Sequence, residues 1–221
     1  MANRQEPNCY RLVVFDLDGT LIKPLSSWRY LHQALGTWQR AKVNTDLFYG
    51  GMITWREWAE RDAKLWTGTQ VYRIEEIVEQ CPRTEGAVET LDRLHEEGIA
   101  TSIVSGGISF FAERIAHELK IDAVFANRLQ QRDGILTGQV VVTVDQTNKA
   151  EICTRLGEGL GISMKKIVAV GDDFTMIPVF KTVGLSIAFN PIDLRVEKSA
   201  TVSLKCKDLT TILPFVFKQT S

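Results

Sequence analysis

The stretch VVFDLDGTLI, residues 13–22, ends an apolar run in two carboxylates, Asp16 and Asp18. Val13, Val14 and Phe15 form an unbroken run of β-formers, the pattern of a strand covered on both faces. Residues two apart in an extended chain point to the same side, so Asp16 and Asp18 share a face. Like charges that close repel unless a cation or a shared proton relieves them, and a divalent metal does so. Gly19 then lets the backbone turn sharply, and Thr20 adds a hydroxyl. The tripeptide alone equally suits a solvated turn, so partners elsewhere in the chain decide its meaning.

Three later segments supply such partners. IVSGG delivers Ser105, Gly106 and Gly107, a hydroxyl with open backbone N–H groups leading into a helix, which suits an anion such as phosphate. DQTNKAE places Lys149 at a helix start, where it offers a fixed positive charge. IVAVGDD brings Asp172 and Asp173 to a loop after a strand, as hard oxygen ligands for Mg²⁺. Singly, a Ser-Gly-Gly turn, a solvated lysine and a Gly-Asp-Asp loop are commonplace. Four such features at successive strand ends point to one site, because ligands of open α/β sheets gather at the carboxyl ends of the strands.

The elements that must position these residues alternate from about residue 84 onward. TEGAVETLDRLHEEG reads as a helix ended by Gly98, IATSIVSGG as a strand, SFFAERIAHELKI as a helix and DAVFANRL as a strand. QQRDGILTGQVVVTV carries an Asp-Gly turn between β-prone arms and predicts a hairpin. NKAEICTRLGEGLG predicts a helix, KKIVAVGDD and GLSIAFN strands, and DLTTILPFVFKQ a last helix bent or ended near Pro214. The alternation predicts a doubly wound, mostly parallel Rossmann-like α/β sheet.

Residues 23–80 break the alternation and read as helices: SSWRYLHQALGTWQRAK, NTDLFYGG, TWREWAERDAKLW and YRIEEIVEQ. Thr54 with Glu57 has the form of a capping box. The division expected is a core of residues 1–22 and 81–221 with an all-helical insert over 23–80. Trp28, Trp38, Trp55, Trp58 and Trp66 all fall in the insert. They read mainly as its own core, with one or two lining a substrate cavity.

The four segments, in this order, resemble the haloacid dehalogenase superfamily, and within it the phosphoserine phosphatase-like branch, over nearly the whole chain. The resemblance implies Asp16 as nucleophile and Asp18 as general acid/base. It implies phosphate binding by Thr20, Ser105, Gly106 and Lys149. It implies Mg²⁺ near Asp16, Asp18, Asp172 and Asp173, with the Asp18 contribution coming from its backbone carbonyl. The insert occupies the position of the family's cap domain. The implied activity is Mg²⁺-dependent hydrolysis of a small phosphorylated metabolite through an aspartyl-phosphate.

The chain departs from that pattern twice. The fourth motif of the family continues with Asn and a second Asp where this chain has Thr175 and Met176, so Asp173 is expected to take over the acid's role. The phosphoserine-specific Glu and Arg positions read Leu25 and Asp62, which leaves Trp55 and Arg61 as the cap's substrate candidates. A phosphomutase uses the same core. A non-catalytic phospho-acceptor also uses an acidic cluster, Mg²⁺ and Lys, but receivers carry their phosphorylated Asp on a later strand and have no helical insert.

The bulk numbers are ordinary for a soluble globular protein. Of 221 residues, 44% are apolar and 24% charged, with net charge -1, which gives no electrostatic footprint for nucleic acid. No apolar stretch approaches the roughly 20 residues that span a bilayer, and MANRQEPNCY lacks the apolar core of a signal peptide. Cys9, Cys81, Cys153 and Cys206 lie far apart and read as buried thiols, and His32, His95 and His117 lack ligand spacing. A reduced, cytoplasmic setting is expected; the sequence does not set the oligomeric state.

Overall fold

The computed structural model describes residues 10–217. β1 (Leu12–Phe15) is followed by four helices, α1 (Ser27–Ala34), α2 (Trp38–Tyr49), α3 (Trp55–Lys64) and α4 (Val71–Glu79). Then come α5 (Ala87–Glu96), β2 (Ala100–Ile108), α6 (Ser109–Leu119), β3 (Ala123–Arg132) and β4 (Ile135–Val141). The last third holds α7 (Lys149–Leu160), β5 (Ile167–Gly171), α8 (Ile177–Phe180), β6 (Leu185–Phe189), α9 (Leu194–Ser199), β7 (Val202–Leu204) and α10 (Leu213–Val216).

The strands form one sheet in the order β4-β3-β2-β1-β5-β6-β7. All neighbours are parallel except β3 and β4, the expected hairpin, which turns at Asp133 and Gly134. β1 lies at the centre between β2 and β5, and its four residues are wholly buried. Alternate side chains serve opposite faces. Val13 and Phe15 join the core under α4, α5 and α6, while Leu12 and Val14 join the one under α7 and α8. Each such side chain contributes about 1.5–3 kcal/mol by leaving water.

The helical insert does not stand apart from this core. Trp28, Leu31, Ala63, Trp66 and Ile74 belong to the same apolar cluster as Phe15 and Phe111. Backbone bonds also stitch it to the β3–β4 hairpin: Gly68 N donates to Leu136 O, Leu136 N to Thr69 O, and Val71 N to Gly134 O.

Several elements differ from the sequence expectation. The first predicted helix of the insert is two, because Gly36, at φ +70, ends α1 before α2 begins. NTDLFYGG is the second half of α2 rather than a separate helix. DAVFANRL and the first arm of the hairpin are one continuous strand, β3. The tail is a 3-10 turn over Leu209–Ile212 leading into α10, with Pro214 in its first turn, where proline lacks no hydrogen bond. α9 and β7 were not expected; β7 is three residues long, too short to show a period. The Thr54–Glu57 capping box is present in full.

Cys81 and Cys153 are buried free thiols and Cys206 is half-buried, while Cys9 lies outside the described residues. No helix among the described residues is long and apolar enough to cross a membrane.

Candidate active site

Register brings the singled-out residues to one edge. Phe15 pairs with Ile103 of β2 and Val170 of β5, so Asp16, Ser105 and Asp172 all emerge just past that line. The β2–β3 register shifts between Val104 and Ile108, a local irregularity beside Ser105–Gly107 of the kind that re-aims side chains at sites. A cavity of about 670 Å³ opens there, lined by Asp16, Asp18, Ser105, Gly106, Lys149 and Asp172 on the sheet side.

Asp16 is buried. Its Oδ1 accepts from Leu17 N at 2.8 Å, and its Oδ2 lies 2.5 Å from Lys149 Nζ. Burial pushes the Asp16 carboxyl above its usual range, while Lys149 opposes that shift and Asp173 adds to it. Burial alone would lower the Lys149 pKa; the charges of Asp16 and Asp173 outweigh it and raise the pKa instead. Asp172 is held well above the carboxylate range, first by burial and then by Asp16 and Asp173.

Asp18 is half-buried, and burial lifts it to about 7 against the hydrogen bonds from Ser27. Ser27 N donates to Asp18 Oδ1 at 2.9 Å and Ser27 Oγ to Oδ2 at 3.0 Å. Ile108 N in turn donates to Ser27 Oγ at 3.2 Å. Gly107 makes this convergence possible, because a Cβ there would lie 2.7 Å from Ser27 Oγ and 3.0 Å from Asp18 Oδ2. Gly19 does the same for Asp172: it adopts φ +68, and a Cβ would lie 2.2 Å from Asp172 Oδ2.

Not every candidate stands where the sequence put it. Thr20 is buried outside the cavity lining, its Oγ1 3.5 Å from Asp172 Oδ1, because the turn at Gly19 swings it beneath the site. Asp173 lines the cavity, but its Oδ1 accepts from Thr175 N at 2.9 Å and Thr175 Oγ1 at 2.5 Å, capping the following 3-10 turn. Met176 packs under the site, with its sulfur 3.7 Å from Lys149 Nζ. Arg61 is exposed and does not line the cavity. The helix turns that position outward because its neighbour Asp62 faces in, accepting from Asn44 Nδ2 at 2.7 Å and lying 3.1 Å from His32 Nε2. Trp55 does line the cavity, and so do Trp28, Trp38 and Trp58; Trp66 alone of the five serves only the core.

Sequence reasoning passed over Ser27 and Asn127. Asn127 is wholly buried and donates to Gly106 O and Val144 O at 2.8 Å. It also accepts from Thr143 N and Val144 N, joining the Ser105–Gly107 segment to the approach to Lys149. A polar residue inside the apolar run AVFANRL was the available signal for it.

Among the described residues no three His, Cys, Asp or Glu side chains gather as a side-chain metal centre. The carboxylates of Asp18 and Asp173 are held by Ser27 and Thr175, which leaves Asp16 and Asp172 as side-chain ligands. Those two are buried, the charge of Asp16 helps raise the pKa of Asp172, and both face one lysine, so the pit is short of positive charge. All-oxygen donors that few suit Mg²⁺, which keeps several waters and binds through one or two carboxylates. The residues fit the ion.

A doubly wound sheet with paired acids, a lysine and an anion cradle at its carboxyl edge defines a Rossmann-like hydrolase core. The haloacid dehalogenase-like hydrolase profile matches residues 13–173, a second profile of that description matches 134–213, and the chain belongs to this family. It is 32% identical over 207 residues to a phosphoserine phosphatase of Methanocaldococcus jannaschii, covering 93% of this chain and 97% of that one. It is 30% identical to a phosphoserine phosphatase of Lactococcus lactis, covering 94% and 95%. A solved phospho-aspartyl intermediate analogue of phosphoserine phosphatase superposes with a TM-score of 0.82 at 29% identity, covering 94% of this chain and 99% of that one.

Proposed function

We propose that this chain is a Mg²⁺-dependent phosphomonoester hydrolase that passes the phosphoryl group through Asp16. The observation that carries the reading is the buried Asp16 carboxylate, 2.5 Å from Lys149 Nζ and facing the same cavity as Asp18 and Ser105. Phosphatases of this family are generally Mg²⁺-dependent. In this reading residues 1–22 and 81–221 form the catalytic core and 23–80 the cap, and the chain works in the cytoplasm on a small phosphorylated metabolite.

Lys149 and Ser105 bind the non-bridging phosphate oxygens and hold the group in line with Asp16. Asp16 Oδ attacks phosphorus, and the bond to the leaving oxygen breaks as Asp18 gives that oxygen its proton. Asp18 then takes a proton from water, whose oxygen attacks the aspartyl-phosphate and releases phosphate and free Asp16. A carboxyl lifted to about 7 is suited to both transfers near neutral pH. Asp16 and Asp172, with the Asp18 carbonyl, would hold Mg²⁺, which neutralises charge between nucleophile and phosphate when bound.

The test is phosphate release from a panel of monoesters with Mg²⁺ present and after chelation, in wild type and Asp16→Asn. The expected result is metal-dependent turnover that Asp16→Asn abolishes. Turnover surviving that substitution would refute the covalent route, and release of a phosphorylated isomer in place of phosphate would identify a mutase.

A further inference from the structure

The cavity wall opposite the catalytic acids is aromatic from the phosphate cradle to the mouth. A Cβ on Gly106 would lie 3.4 Å from Trp55 Cζ2, so the Trp55 ring edge sits directly over the cradle. Trp55 meets Trp58 at 5.5 Å between ring centroids, Trp58 meets Phe48 at 5.9 Å, and Phe48 meets Tyr49 at 5.3 Å. These rings form a continuous strip running outward. The mouth is apolar too: Leu25 is 63% exposed, Tyr49 75% and Ile192 60%, and all three line the cavity.

The strip itself, Trp55, Trp58, Phe48 and Tyr49, carries no charge to hold an amino acid. Leu25 has no charge, and Asp62 is buried against His32 and Asn44. Among the described residues Arg29 is the one arginine in the lining, and its guanidinium lies 4.8 Å over the Trp38 ring. Asp145 is turned to Thr147 and Asn148. A leaving group carrying both an ammonium and a carboxylate would be desolvated here without dedicated partners, which is costly. The space, about 670 Å³, is of the size that encloses a drug-sized molecule rather than a three-carbon one.

We infer that the leaving group of the substrate is an aromatic or extended apolar alcohol, laid along the Trp55–Trp58–Phe48 strip with its far end between Leu25 and Tyr49. The inference rests on the phosphatase reading above. The reaction is the same hydrolysis: the ester P–O bond breaks as Asp16 takes the phosphoryl group, the alcohol leaves with the proton of Asp18, and water restores both acids.

The experiment compares kcat/KM for benzyl phosphate and 3-phenylpropyl phosphate with that for phosphoserine, phosphoethanolamine and choline phosphate, all alkyl esters. We expect the two aryl-alkyl esters to lead phosphoserine by at least about tenfold. Trp58→Ala should cut their kcat/KM by more than it cuts that of phosphoethanolamine, and Trp58→Leu should restore part of the difference. Benzyl phosphate should also quench tryptophan fluorescence of the non-hydrolysing Asp16→Asn protein at lower concentration than phosphoserine does. Phosphoserine or choline phosphate as the preferred ester would overturn this inference while leaving the phosphatase reading intact. Absence of turnover on every ester would overturn both.

Discussion

Ser27 holds both oxygens of Asp18, its N–H on Oδ1 at 2.9 Å and its hydroxyl on Oδ2 at 3.0 Å. The same hydroxyl accepts from Ile108 N, so the first residue of α1 joins Asp18 to the end of β2 beyond Ser105–Gly107. Ser27→Ala removes one of the two bonds and frees the carboxyl to rotate. Proton delivery matters most for poor leaving groups. We therefore expect Ser27→Ala to lower kcat on an alkyl phosphate by about 10²-fold and to affect p-nitrophenyl phosphate much less. An equal loss on both esters would mean that Ser27 only supports the fold.

The metal should compete with protons. Burial holds Asp16 and Asp172 above the ordinary carboxylate range, so both protonate more readily than free aspartate as pH falls. Ligands must be deprotonated to bind a cation. The rise in Tm on adding Mg²⁺ should be large at pH 8 and shrink towards pH 5. Without metal the trend reverses. The raised carboxyls contribute stability that is full below the pKa of free aspartate and is lost as pH rises through their folded values, about 7 for Asp18. A Mg²⁺ effect on Tm that ignores pH would exclude the acid pair as the metal seat.

Asp172→Asn and Asp173→Asn should behave differently. Asp172 is buried and faces Asp16, whereas Asp173 spends an oxygen on Thr175. The Mg²⁺ concentration for half-maximal activity should rise by about 10-fold or more in Asp172→Asn and change little in Asp173→Asn. A matching rise in both would restore Asp173 to the ligand set.

Asp62→Ala tests the buried contact with His32. Both side chains are 1% exposed, and Asn44 and Thr37 complete the cluster beneath Trp66. Removing one partner of a buried polar contact leaves the other unsatisfied and costs about 1–3 kcal/mol. Chemical denaturation should show a loss of that order, with the ranking of esters unchanged. A shift in ester preference without loss of stability would place Asp62 at the substrate.

What the chain disclosed about itself follows physical range. The strand ending in Asp16 was legible because a run buried on both faces and an Asp-x-Asp-Gly turn are local signals. Lys149 was legible because it opens a clearly helical segment. Thr20 misled because a hydroxyl beside the motif says nothing of which way the Gly19 turn sends it. Arg61 misled for a related reason: neighbours on a helix point about 100° apart, and only the partner of Asp62, His32 thirty residues earlier, fixes which one faces inward. Ser27 escaped notice because its role exists only once α1 has been folded back over β2.

The central place of β1 bears on how the protein is made. Leu12 is hydrogen-bonded in register with Ala100 on one side and Ile167 on the other. The strand that ends in Asp16 is made well before β5 and cannot gain both neighbours until β5 follows. At synthesis rates of ~5–20 residues per second it waits about 8–30 s for β5. Meanwhile its apolar edge is open to wrong pairings, and contacts this distant in sequence form slowly. Chains stopped before residue 170 would lack Asp172 and the β5 neighbour of β1, so the site is completed only in a late step of folding.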